Sequence, residues 1–105
     1  MKILALLLFL ATDLMADNCR VLVDGAGCRT RQLAMQRIWE ELPNVKEVEI
    51  LSREKAPALN QRYFIIRCEG SAPTKNELIT ALGRRAKHYI VLSVEPIPSG
   101  TPETN

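Results

Sequence analysis

The sequence predicts an α+β domain whose elements run β-α-β-β-α-β. Four short stretches alternate apolar and polar residues with the period of a strand, and two longer ones carry apolar residues three and four apart, as on one face of a helix. Turn residues punctuate them, at Asp24-Gly25, Leu42-Pro43-Asn44 and Ser71-Ala72-Pro73.

The first strand is "CRVLVDG", which sets Cys19, Val21 and Val23 against Arg20, Leu22 and Asp24. After the break at Gly25 and Gly27 a helix is expected from Thr30, a possible N-cap. Its inner face would be Met35, Ile38, Trp39 and Leu42, with Trp39 a core residue, and "LPN" ends it. "VKEVEIL" is the second strand, turning Val48 and Ile50 one way and Glu47 and Glu49 the other. A polar hairpin loop, "SREKAPALNQ", leads to the third strand, "RYFIIRC", with Phe64, Ile66 and Cys68 on one face. Thr74 and Glu77 form a capping box, each side chain satisfying an otherwise unpaired helical N–H. The second helix carries Leu78, Ile79, Leu82 and Ala86 inward and ends in Arg84, Arg85 and Lys87. "YIVLSVEP" is the fourth strand, with Ile90, Leu92 and Val94 sharing a face.

Two helices covering one face of a four-stranded antiparallel sheet give a ferredoxin-like βαββαβ sandwich. Right-handed crossovers then set the strand order 4-1-3-2. The other face stays open, and Leu22, Tyr63, Ile65, Tyr89 and Val91 are expected there as an apolar patch ringed by Arg20, Arg67, Glu47 and Glu49, a possible partner or homodimer surface.

The ends bound the domain. Lys2 and the apolar run Ile3–Ala11 have the pattern of a signal peptide, too short to span a bilayer, with Ala16 a plausible cleavage point. An uncleaved N-terminal anchor is the rival reading. Residues 1–16 are thus read as signal peptide, 17–96 as the domain and 97–105, rich in Pro, Ser and Thr, as a disordered tail. The expected location is periplasmic or secreted, with no membrane contact beyond the leader. The 105 residues carry 14 Lys and Arg against 12 Asp and Glu, a net charge of +2. So mild a balance gives no electrostatic case for nucleic acid, and the open sheet face shows no RNP-like aromatic motif.

Three cysteines in an oxidising compartment suggest one disulfide and one free thiol. The topology puts Cys19 and Cys68 at one end of neighbouring antiparallel strands and on the helix-facing side, so a Cys19–Cys68 bridge is expected. The alternative is that both are small buried hydrophobes. Cys28 is left at the other end, at a helix start beside Arg29 and Arg31, where dipole and cations favour thiolate. The same end is expected to hold His88, either a second metal ligand or an exposed turn residue, and a basic surface of Arg29, Arg31, Arg84, Arg85 and Lys87. Enzyme chemistry finds little support: there is no Cys-x-x-Cys redox pair, no phosphate-binding glycine loop and a single histidine.

The stretch "VDGAGCRTRQLAMQRIWEELPNVKEVEIL" resembles the first half of a heavy-metal-associated domain, the family of copper chaperones and the periplasmic mercury-binding protein. Gly25 and Cys28 match the glycine and first cysteine of its Gly-Met-x-Cys-x-x-Cys motif, and Val45 and Val48 match its closing valines. Arg31 stands at the second cysteine position, Ala26 at the methionine and Asn44 at a glycine. The resemblance implies handling of a soft metal, Cu(I) or mercury, with zinc a further possibility. The site would centre on Cys28 and take its second ligand from His88 or a second copy. The alternative is a metal-free interaction module that meets an acidic protein partner through its basic end or the open sheet face.

Overall fold

A computed structural model of the chain describes residues 18–97; residues 1–17, which include the expected signal peptide, and residues 98–105 of the expected tail lie outside the described residues. The elements are β1 (Asn18–Asp24), α1 (Arg29–Glu40), β2 (Val45–Ile50), β3 (Gln61–Cys68), α2 (Lys75–Leu82) and β4 (Ile90–Ile97). They make an α+β fold with one open antiparallel sheet in the order β2-β3-β1-β4, which read from the other edge is the expected 4-1-3-2. No helix among the described residues is long and apolar enough to cross a membrane.

The core lies between the helices and one face of this sheet. Cys19, Val21 and Val23 of β1, Val48 of β2 and Phe64 and Ile66 of β3 meet Met35 and Trp39 of α1 and Leu78 and Leu82 of α2. Trp39 joins the layers. Its ring packs edge-on against Phe64 with centroids 5.3 Å apart, and its Nε1 donates to the Leu78 carbonyl of α2 at 3.1 Å. An aromatic pair of this kind contributes about 0.5–1.5 kcal/mol beyond the area it buries.

The capping box on α2 is present in both directions. The Glu77 amide donates to Thr74 Oγ1 at 3.1 Å, and the Thr74 amide donates to Glu77 Oε1 at 2.8 Å. Asn44, at the glycine position of the motif, has φ +71° and is the one non-glycine residue with positive φ among the described residues. Its short polar side chain tolerates that region better than most.

Several expectations need correction. Helix α1 begins at Arg29 with Cys28, not Thr30, in the N-cap position. Helix α2 ends at Leu82, and Gly83–His88 continues as a 3₁₀ turn that contains the basic run. Strand β4 takes in Ile97, which pairs with Asn18, so the ordered strand reaches one residue past the expected domain end.

The alternation expected for β4 fails at a bulge. Val91 lies opposite Val23 and Val94 opposite Val21, four residues on one strand against three on the other, so Leu92 is extra. Tyr89 and Val91 therefore turn into the core, while Ile90 and Leu92 are exposed. The open face accordingly lacks two of the five residues expected of its apolar patch.

What remains of that face is covered by charge. Arg20 bonds Glu95 at 2.6 Å and lies over the Tyr63 ring, 4.9 Å from its centroid. Arg67 bonds Glu49 at 2.9 Å and approaches Glu47 at 3.6 Å. Ile65 sits in the register between Arg20 and Glu49 and is fully buried although it faces away from the helices. Long Arg and Glu stems shield apolar surface in this way while their heads stay wet.

Candidate functional site

Chain reversal after β1 builds the loop that carries Cys28. Gly25 has φ +94°, and a Cβ there would lie 2.5 Å from the His88 carbonyl oxygen, so only glycine lets the loop pass so close to the start of β4. The Gly25 and Ala26 amides both donate to the Asn60 carbonyl at 2.9 Å, which ties the loop to the start of β3. Ala26 is fully buried, and its carbonyl accepts from Gln32 Nε2 at 2.8 Å. The loop is thus held on both sides, and Cys28 follows it directly.

Cys28 is exposed, with extended backbone (φ −100°, ψ 135°), and makes no side-chain cap hydrogen bond as a neutral thiol. The amides of Arg31 and then Thr30, unpaired in the first turn of α1, lower its pKa below the ordinary thiol value. The Thr30 hydroxyl and the Arg31 charge add to the effect. The sulfur is therefore poised as an accessible nucleophile or soft ligand.

The other cysteines behave differently. None of the three forms a disulfide, and Cys19 and Cys68 are buried. Both face the helices as expected, but Cys19 lies opposite Ile66 and Cys68 opposite Val45. The two are diagonal rather than directly opposed, so the expected Cys19–Cys68 bridge is not present in this structure. Burial, with Cys68 nearby, pushes the Cys19 thiol up to about 12.

The expected companions of Cys28 are only partly brought together. It is the His88 backbone carbonyl that meets the loop, through Gly25. No hydrogen bond joins the exposed His88 imidazole to the thiol. Arg31 Nη1 reaches the Gly25 carbonyl at a long 3.5 Å, which sets it on the same side as His88. Arg84, Arg85 and Lys87 are exposed in the turn that precedes. Arg29 points to the opposite side, into a cleft shared with Gln32, Arg53 and Arg62. The basic surface is therefore divided by the loop rather than continuous. Among the described residues, no three His, Cys, Asp or Glu side chains converge.

Arg62 and Gln32 were not anticipated as part of this end. Arg62 has the same strand parity as Phe64, Ile66 and Cys68, which already assigned it to the helix-facing side. Gln32 precedes Met35 by three residues on the buried stripe of α1. A groove of about 600 Å³ between Leu42, Pro43 and the start of α2 lies at the end of the described residues away from Cys28.

In comparisons with protein-family models and with curated proteins, nothing matches this chain.

Proposed function

We propose that the chain is an exported, ferredoxin-like domain of the heavy-metal-associated kind that carries a soft metal ion on Cys28 and performs no catalysis. The observation that supports this is the exposed thiol at the N-cap of α1, where backbone amides favour the thiolate. Its place, after a tethered glycine loop between the first strand and first helix, agrees with the motif residues Gly25, Val45 and Val48, while Asn44 stands where the motif has glycine. One thiolate gives a weak site for Cu(I) or Hg(II), which take two soft ligands. The second ligand comes from His88 after a side-chain rotation, or from Cys28 of another copy.

Competitive Cu(I) titration under anaerobic, reductant-free conditions, wild type beside Cys28→Ser, tests this. Stoichiometric uptake that disappears in the variant supports it, and His88→Ala with mass analysis of dimers then separates the two ligand sources. Uptake no greater than in Cys28→Ser removes the metal reading. A second reading, a metal-free module that docks an acidic protein, is favoured by one observation. The first turn of α1 holds Arg29 and Arg31 and no acidic residue, which attracts anions and slows the approach of a cation.

A further inference from the structure

The cleft on the Arg29 side of the loop has an electrostatic composition that the fold itself does not balance. It is about 470 Å³ and lies between the start of α1, the end of β2 and the start of β3, with Arg29, Arg53 and Arg62 among its lining residues and no carboxylate. Each arginine comes from a different element. The carboxylate next in the chain, Glu54, lines the neighbouring groove with Pro57 instead.

Arg62 makes the case. It is only 8 % exposed, yet its two hydrogen bonds go to neutral carbonyls, from Nη1 to Leu59 at 3.0 Å and to Gln61 at 2.6 Å. The ion pairs among the described residues involve Arg20, Lys46 and Arg67, none of them at this cleft. Burying a guanidinium without a counter-charge is unfavourable. No buried side-chain nitrogen of the described residues is left without a partner, so the unbonded Nε and Nη2 of Arg62 open to the cleft rather than into the core. Arg29 adds a second unfavourable feature, a cation in the first turn of a twelve-residue helix where the dipole favours anions. One ligand class relieves both.

We propose that this cleft binds a phosphate group, with Arg62 at its floor and Arg29 and Arg53 at its rim. Guanidinium forks match oxyanions in bidentate geometry. A phosphate carries about −1.5 to −2 near neutral pH, closer to three guanidinium charges than the single charge of a carboxylate. The phosphate is either inorganic or the ester group of a small molecule, and the site does not depend on whether Cys28 carries a metal.

The test is an amide and arginine Nε–H NMR titration of the protein with sodium phosphate and, separately, phenyl phosphate, at ionic strength held constant with chloride. Saturable shifts are expected at Gly27, Arg29, Gln32 and Arg53 and at the Arg62 Nε–H. Arg53→Gln, an exposed position, weakens binding about tenfold, the loss of one charged hydrogen bond. Arg85→Gln leaves it unchanged. Tighter binding of phenyl phosphate identifies an ester as the source, and tighter binding of sodium phosphate identifies the free ion; either supports the site. Shifts that do not saturate, that appear equally at Arg84 to Lys87, or that persist unweakened in Arg53→Gln overturn it. Because the metal test reads Cys28 and this one does not, the two proposals fail separately.

Discussion

Gly25→Ala tests the geometry on which the Cys28 loop depends. The native φ of +94° is one that L side chains rarely adopt, and the new Cβ would stand 2.5 Å from the His88 carbonyl oxygen. Gly70→Ala is the matched control, since Gly70 has φ +92° and nothing within 4 Å of its Cβ position. Both variants incur the left-handed backbone penalty of about 1–2 kcal/mol. Only Gly25→Ala adds an overpacking term, about 1–3 kcal/mol when the neighbour is backbone that must shift. The expected losses are therefore about 1–2 kcal/mol for Gly70→Ala and about 2–5 kcal/mol for Gly25→Ala, summed from those two ranges. With an m-value of about 1 kcal/mol/M in urea for so small a domain, the midpoints fall by ~1–2 M and ~2–5 M. A small domain has about 5 kcal/mol in total, so Gly25→Ala approaches complete unfolding. Fluorescence of Trp39, the single tryptophan and fully buried, follows the transition. Equal midpoint losses at equal m-values would refute the close approach of the loop to His88.

Other outcomes follow from single contacts. Thr74→Ala removes the Oγ1 that accepts from the Glu77 amide, while the backbone amide at 74 can still donate to Glu77 Oε1, and lowers stability by about 1 kcal/mol, read as a midpoint shift at constant m; no shift means that the cap is not formed in solution. Alkylation of the native protein labels one thiol, Cys28, and denaturant releases two more, Cys19 and Cys68; a single thiol in denaturant would mean that those two are bridged. The depressed Cys28 pKa keeps its alkylation rate on a plateau down to a pH below the ordinary thiol range, and the midpoint moves up on unfolding; an unchanged midpoint refutes thiolate stabilisation by α1. Arg31→Cys supplies the second thiolate at the family spacing and raises Cu(I) affinity by at least tenfold over wild type, read in the same competition titration; no gain would mean that the loop does not hold two sulfurs on one ion.

Element order was legible because the signals are local. The Thr74–Glu77 box, the glycine break after Asp24 and the Met35–Trp39 spacing each depend on residues within one turn of one another. The bulge in β4 was not legible. Ile90, Leu92 and Val94 alternate as a regular strand does, and only pairing with Val21 and Val23 inserts Leu92 as an extra residue. The diagonal offset of Cys19 and Cys68 is of the same kind. Topology put them on neighbouring strands and the same face, but register is a property of two strands together. Arg62 was missed for another reason: it was read as the first residue of the third strand and its parity with Phe64 assigned it inward, but a charged residue is not expected in a core. The signal was present and was outweighed by charge.

Arg31 is where the two functional readings separate. It occupies the position of the second metal-binding cysteine in the motif, and its backbone amide and charge both help to hold the Cys28 sulfur as thiolate. A thiolate is what a soft metal needs, yet a guanidinium beside it opposes the approach of any cation. The same amides and dipole that favour the thiolate also favour a bound anion, and Arg29 extends that field into the cleft of Arg53 and Arg62. Salt separates these effects. The long-range opposition of exposed Arg31 to an incoming cation is screened within about 8 Å at physiological ionic strength, whereas the amide contribution acts at contact distance and persists. Copper uptake that strengthens with added salt therefore points to arginine as the obstacle at an otherwise competent thiolate. Uptake that stays absent at any salt concentration points to the missing second sulfur.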